Sequence, residues 1–480
     1  MRKPIALLLI FISLLWWVIP SDIVKLIVLQ RPVLFGRYSQ GHFASLLLLT
    51  PIIWLIGGVL FSQISLDKKL FINALLLITS SIFSIFFVIW LSQLIVSPRY
   101  VEEKLSIVGG ASQHWQGIVR HRPPNKNYVY TQVDRPEQVR SYPDPPIGYP
   151  DVSINLTSDS NGYRNTSTLD QYDLIVLGDS FAAGSRVSDE QAWPDLLSKL
   201  TGMSLYNLGT SGTNIFNYVS SLIAKGLQLN PKIVVLMIYE GNDFKGLPRQ
   251  AEIGDVSFTE KLKGSPLSAS LKSLSRNLFE SYNTTKDVPA YGKNLSWMPV
   301  KIEDVSDEGA KYYSFKPRRM LSLNVQQSIF EKSKIWQENV TLLDKFISLS
   351  KEHDFIPVIA YAPSKPHVVM PFFDVKAEDL RSYLSYKDKD LPDADMVKSS
   401  FYKNLDAQES TVEEYCRDRG ISFISTTNKL QYMTEAGTQM YYTYDQHWTP
   451  MGNEVVAEII YQHLSKMNVL STTYSLTPKP

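Results

Sequence analysis

The sequence predicts an α/β protein: a mostly parallel sheet with helices on both faces, preceded by an apolar, membrane-seeking N-terminal region. Three observations carry this. From residue 173 onward, short apolar runs alternate with longer amphipathic ones, the rhythm of strand–helix–strand units. Before residue 97 lie three long uncharged runs. Between the two regions, "HRPPNKNYVY" and "SYPDPPIGYP" are rich in Pro and Tyr and show no helical period.

The first uncharged run, residues 5–19, follows Arg2 and Lys3. No small-x-small cleavage site follows it, so it reads as a signal-anchor helix rather than a cleaved leader. The runs at 43–66 and 70–96 each exceed the roughly 20 residues that a helix needs to cross a bilayer. Lys68 and Lys69 sit in the tight turn between them and favour its cytoplasmic placement. Everything after the third run is then expected outside the cytoplasm, anchored to a bacterial inner or plasma membrane. The expected organisation is a transmembrane region at 1–98, an extracytoplasmic connector at 99–150, a large α/β domain at 151–470 and a tail at 471–480.

Within the domain, "DVSINLTSDSNGYRN" alternates like a strand and turns at Asn161-Gly162. Strands are expected at 173–178, 204–208, 232–239, 355–362 and 421–426. Helices are expected at 190–200, 214–228, 324–352, 396–418 and 451–467. Residues 244–323 break the rhythm. They are polar, with scattered Gly, Ser, Pro and Asn, and read as an insertion of the kind that forms lids or substrate surfaces.

Composition narrows the chemistry. The net charge is +1, and no basic run suits nucleic acid. Cys416 is the sole cysteine; it excludes an intrachain disulfide and reads as a small buried apolar residue. No cluster has zinc-site spacing, and no P-loop, HExxH or dinucleotide glycine pattern occurs, so neither a metal nor a cofactor is expected.

The stretch "DLIVLGDSFAAG" instead raises nucleophilic chemistry. Ser180 ends a short buried strand, beside the start of a helix, where a hydroxyl is placed to attack a carbonyl. Asp and Ser are also ordinary turn and N-cap residues. A nucleophilic serine needs a base, a group that orients the base, and oxyanion donors. Among seven histidines, His447 lies in a loop before the last helix, with Asp445 two residues earlier. "YNLGTSGTN" places Gly212 in a turn after the second strand, where its N–H is open to close approach. "YEGNDF" places the Asn242 amide after the third.

Gly178-Asp179-Ser180, Gly212, Gly241-Asn242-Asp243 and Asp445-x-His447 together resemble the four ordered blocks of the SGNH (GDSL) hydrolase superfamily. The upstream "SDSNGYRN" resembles the turn that precedes the first block in many bacterial members. The resemblance covers roughly residues 150–470. It implies a flavodoxin-like three-layer α/β/α sandwich. It also implies Ser180 as nucleophile, His447 as base, Asp445 as its partner, and an oxyanion hole of the Ser180 N–H, the Gly212 N–H and the Asn242 amide. Two positions depart from the pattern. Glu240 stands where the third block usually begins with Gly, and the last block is Asp-x-His rather than Asp-x-x-His. The latter spacing is similar to that of alginate-type polysaccharide O-acetyltransferases, in which, however, the Asp-x-His precedes the serine. "YAPSKPHVV" also resembles a segment of such proteins and suggests that Lys365 lines the substrate cleft.

The expected function is therefore a membrane-anchored serine esterase or O-acyltransferase acting on acetyl groups of an extracytoplasmic polysaccharide or glycolipid. The expected partners are the membrane, an acylated glycan substrate and, for transfer, a membrane-bound acyltransferase. One rival is a lipase or lysophospholipase, against which the polar insertion counts. The other is a non-enzymatic assembly or export partner with a vestigial fold, against which the intact Ser180, Asn242, Asp445 and His447 count.

Overall fold

The computed structural model describes residues 2–18, a few positions between 46 and 84, and residues 100–107, 115–134, 148–166, 169–247, 298–302 and 311–470, the last stretch apart from 316, 374, 386–387 and 389. The chain divides into two compact units: Met1–Ser97 with Val256–Val288, and Pro98–Asp255 with Pro289–Pro480.

In the first unit the helix Arg2–Val18 meets helical residues between 46 and 58. Trp17 Nε1 donates to Thr50 Oγ1 at 2.8 Å, and Trp54 Nε1 donates to Ser13 Oγ at 2.9 Å. The helix leaves Leu7, Leu8, Phe11, Ile12 and Val18 exposed. Among the described residues no helix is long and apolar enough to cross a membrane. The expected span at 43–66 is described only at 46, 49–54 and 56–58, and that at 70–96 only at 80 and 84; the rest of both lies outside the described residues.

The second unit is built on a five-stranded sheet. Its strands, in chain order, are β1 (Val101–Ile107), β2 (Trp115–His121), β3 (Lys126–Gln132), β4 (Val152–Ser158), β5 (Leu174–Leu177), β6 (Leu205–Asn207), β7 (Ile233–Tyr239), β8 (Met298–Ile302), β9 (Lys311–Phe315), β10 (Ile356–Ala362) and β11 (Ser422–Ser425). The central sheet runs β11-β10-β7-β5-β6. All four of its pairings are parallel. Counting only these strands, the order is 2-1-3-4-5, the flavodoxin-like arrangement whose direction switches between the first and third strands.

Every residue of β5 and β7 is buried, because helices cover both faces. Leu174, Val176 and Val235 face a core that includes Leu197 and Val456. Ile175, Leu177 and Val234 face a second core with Val219, Phe346 and Cys416. The strict period of two in these apolar runs is what divides them between the layers.

The expected strands of the sheet are all present, while several helices are broken. The expected helix at 324–352 is two, Gln327–Lys332 and Lys334–Glu352, divided at Ser333, whose hydroxyl caps the second through Trp336 N. That at 396–418 is also two, Ala394–Lys403 and Ala407–Asp418. Residues 99–150, expected as a connector, hold three strands among the described residues. β1 pairs with β2, and β3 with β4, both antiparallel. Of the insertion, residues 248–297 and 303–310 lie outside the described residues; the remainder includes the antiparallel pair β8–β9 and the short helix Pro317–Leu323.

Candidate active site

The sheet's switch point lies between β5 and β7, and both of their carboxyl ends carry candidate groups. Gly178 follows β5 in a space where no side chain fits: a Cβ there would fall 2.5 Å from the Ala182 Cβ. The chain therefore turns sharply, and Asp179 and Ser180 come next, both buried. Ser180 Oγ donates to Asp179 Oδ2 at 3.1 Å, and Phe181 N donates to Asp179 Oδ1 at 2.8 Å.

Asn242, after β7, reaches the same carboxylate. Its Nδ2 donates to Asp179 Oδ2 at 3.1 Å and to Asp243 Oδ1 at 3.0 Å, with the Thr213 carbonyl at 3.4 Å. Asp243 is fully buried and accepts Tyr239 N at 2.7 Å. Burial, and then the nearby Asp179 charge, push its carboxyl well above the usual range. Gly212, one residue before Thr213, is exposed and has φ +81°, a conformation that suits glycine. A Cβ there would lie 2.9 Å from Arg120 Nη1. Asp179 thus draws together the groups that follow β5 and β7, while Thr213 brings the loop after β6 alongside.

Asp445 and His447 lie in a loop closed at its base. Tyr441 and Trp448 form a bridge, Tyr442 N donates to the His447 carbonyl at 3.1 Å, and Thr449 caps the helix Pro450–Lys466 through Gly452 N. His447 Nδ1 pairs with Asp445 Oδ1, which also accepts the His447 N–H at 3.0 Å. Arg186 Nε sits 3.1 Å from Asp445 Oδ2. Burial works against the charge of Asp445, but the His447 ring, Arg186 and the His447 N–H outweigh it and hold this carboxylate well below its usual range. Phe181 carries the loop to the serine: its ring centroid is 5.1 Å from that of His447 and 4.7 Å from that of Trp448. Ser180 and His447 share no hydrogen bond here: the Ser180 hydroxyl donates to Asp179, and His447 Nδ1 pairs with Asp445.

Lys365 does not line a cleft. Its side chain is buried, and Nζ donates to the carbonyls of Tyr442, Thr443 and Asp445 at 3.0, 2.7 and 2.9 Å. An ammonium has three donors and here each meets a carbonyl of the Asp445–His447 loop.

The same loop is held from its other side by Asp134, which sequence reasoning missed. Its buried carboxylate accepts the N–H groups of Thr443, Tyr444 and Asp445 at 2.7, 2.9 and 3.1 Å, and that of Tyr149 at 2.9 Å. Arg164, in the turn before β5, was also unassigned. Its buried guanidinium pairs with Asp189 at 2.7 Å and donates to the carbonyls of Ala183, Gly184 and Val187, fixing the loop after Ser180.

Two other histidines are occupied elsewhere. His367 is buried between Glu240 (2.7 Å) and Asp406 (2.9 Å). His463 bonds Ser422 Oγ at 2.6 Å, at the amino end of β11 and so at the opposite edge of a parallel sheet. Among the described residues no group of three or more His, Cys, Asp or Glu side chains is arranged to hold a metal ion.

The family model of GDSL-like lipases/acylhydrolases matches residues 174–316, and that of the SGNH hydrolase-like domain of acetyltransferase AlgX matches residues 388–476. Both matches support a member of the SGNH hydrolase superfamily. No curated protein matches it. Among solved structures, the acetyl xylan esterase AlAXEase is similar at 12% identity, over 60% of this chain and 98% of that one, with a TM-score of 0.30. The lipase/acylhydrolase from Enterococcus faecalis is similar at 10% identity, over 63% and 98%, with a TM-score of 0.30. A catalytic mutant of Axe2, an acetylxylan esterase from Geobacillus stearothermophilus, is similar at 11% identity, over 62% and 96%, with a TM-score of 0.30.

Proposed function

We propose that this chain is a membrane-anchored serine esterase or O-acyltransferase that removes or transfers acetyl groups on an extracytoplasmic polysaccharide or glycolipid. The observation that carries the reading is the meeting of Ser180 and Asn242 on one oxygen of Asp179, at the sheet's switch point, with the Asp445–His447 pair held against Phe181. The match of residues 388–476 to the domain of an acetyltransferase supports acetyl as the acyl group and extends it to transfer.

In the proposed reaction the Ser180 hydroxyl exchanges Asp179 for His447 when the ester enters. His447 takes the proton as the Oγ–carbonyl carbon bond forms, and Asp445 stabilises the resulting imidazolium. The oxyanion is met by the N–H groups of Ser180 and Gly212 and by the Asn242 amide. The bond to the alcohol oxygen then breaks, and the His447 proton leaves with the alcohol. Water or a sugar hydroxyl resolves the acyl-enzyme in the same two movements of a proton, giving hydrolysis or transfer.

Anchoring rests on the three uncharged runs and on the exposed apolar side chains of the helix Arg2–Val18. A reporter fused after Pro480 tests the side of the membrane: alkaline phosphatase should be active there and green fluorescent protein dark. The chemistry is tested by incubating the full chain with short- and long-acyl esters, with and without a polysaccharide acceptor. Acetate release or acetylated acceptor supports the reading. Preference for long-chain acyl esters would replace it with a lipase.

A further inference from the structure

A cavity of about 590 Å³ opens beside Asn242. One part of its lining is apolar, with Phe244, Val325, Ile329 and Phe330; another carries Lys245, Arg318 and Arg319. Among the described residues the only carboxylate on its lining is Glu240, and that group is taken up by the Tyr361 hydroxyl at 2.8 Å, the Ser364 N–H at 2.8 Å and His367 at 2.7 Å. The free charge facing the cavity is therefore positive. An apolar lining with a few placed polar groups is the usual form of a small-molecule site.

The cavity connects physically to the proposed nucleophile. The Arg319 guanidinium lies over the Tyr239 ring at 5.8 Å, and Tyr239 stacks on Phe181 with centroids 3.9 Å apart. Phe181 adjoins Ser180 in the chain. A second observation points to a ligand. The Tyr239 hydroxyl is buried and has no hydrogen-bond partner. It abuts Gly241 of the cavity lining, where a Cβ would fall 2.4 Å from the oxygen. Buried phenols normally find a partner, so an unfilled one at a cavity's edge marks a place where an acceptor is missing.

We propose that this cavity binds an acidic group of the substrate, a carboxylate or a phosphate, and so presents a neighbouring ester to Ser180. Guanidinium groups match the planar or tripodal oxygens of such groups. The apolar lining accommodates the adjoining carbon skeleton. The inference deepens the proposed function and relies on its placement of the reaction at Ser180.

The test is calorimetric titration of the full chain in neutral detergent with trigalacturonate, glycerol 3-phosphate and uncharged xylotriose. At least one acidic probe should bind about tenfold more tightly than xylotriose, and weaken about tenfold or more in the Arg318→Gln/Arg319→Gln double variant. Raising the salt should weaken it in the wild type as well, a readout that needs no variant to fold. The Arg318→Lys/Arg319→Lys variant should keep part of the affinity. The tighter of the two acidic probes identifies the group as carboxylate or phosphate. Equal binding of all three probes, or binding that is indifferent to salt and to loss of both guanidinium groups, would overturn the proposal. Hydrolysis of p-nitrophenyl acetate by the wild type is measured separately. Its absence would count against Ser180 chemistry, while the titration still decides the cavity.

Discussion

Asn242 and Ser180 donate to the same oxygen, Asp179 Oδ2, each at 3.1 Å. The oxyanion donor and the nucleophile of the proposed reaction are thus set by one carboxylate. Its other oxygen holds the Phe181 N–H. An asparagine at 179 has a single acceptor oxygen and cannot serve all three donors. Asp179→Asn should lower kcat on p-nitrophenyl acetate about 10–100-fold with little change in KM, as expected for loss of preorganised groups. An unchanged kcat would separate Asp179 from the reaction.

Lys365 and Asp134 bind opposite polarities of one loop, the carbonyls and the N–H groups around Thr443. Removing either leaves buried backbone groups without partners. Lys365→Met and Asp134→Asn should each cost about 2–3 kcal/mol in urea unfolding, through loss of bonds to a charged group. Each should also lower kcat, because Asp445 and His447 lose their frame. A rise in KM alone for Lys365→Met would return this residue to a substrate-binding role.

Arg186 and His447 together keep Asp445 ionised. A carboxylate whose folded pKa is depressed adds stability above its unfolded pKa, and this is lost as pH falls through the folded pKa. In Arg186→Gln the folded value rises toward the ordinary one. The acid-unfolding midpoint should therefore move to higher pH, with a smaller effect at pH 7, when followed by tryptophan fluorescence. An unmoved midpoint would mean that the ion pair is too well solvated to matter.

His367 makes the opposite prediction. Burial works against its charge, but Glu240 and then Asp406, helped by Glu409, raise its pKa to about 10. A histidine raised in the folded state contributes stability fully below its unfolded pKa of about 6.5, and that contribution fades as pH rises toward the folded value. Wild-type stability should therefore decline between about pH 6.5 and 10 from this group. His367→Gln should be less stable at pH 6.5 and should show a flatter decline, measured by urea unfolding at several pH values. A slope as steep as that of the wild type would assign the decline to other groups.

The sheet was legible because its strands are short apolar runs that end in polar turns, and each turn carries its chemistry next to its strand. Ser180, Asn242 and the Asp445–His447 pair are candidates that the sequence offers because each stands in a short local motif. Asp134 could not: the N–H groups it binds lie about three hundred residues further along the chain, in a loop that no periodicity in "TQVDRP" announces. Lys365 was visible as a residue but not as a direction, since a lysine after a turn points outward unless distant carbonyls converge on it. The breaks at Ser333 and Asn404 fell inside amphipathic stretches whose apolar spacing continues across them. Glu240, which departs from the family pattern, bonds Tyr361 and His367 in the interior.

The central claim is that Ser180 is the nucleophile, and active-site labelling tests it most directly. The full chain is treated with a fluorophosphonate, digested, and its peptides are mapped by mass spectrometry. The adduct should fall on the peptide containing Ser180, be absent from Ser180→Ala, and form far more slowly in His447→Gln. An adduct on another residue, or one that persists in Ser180→Ala, would contradict the account.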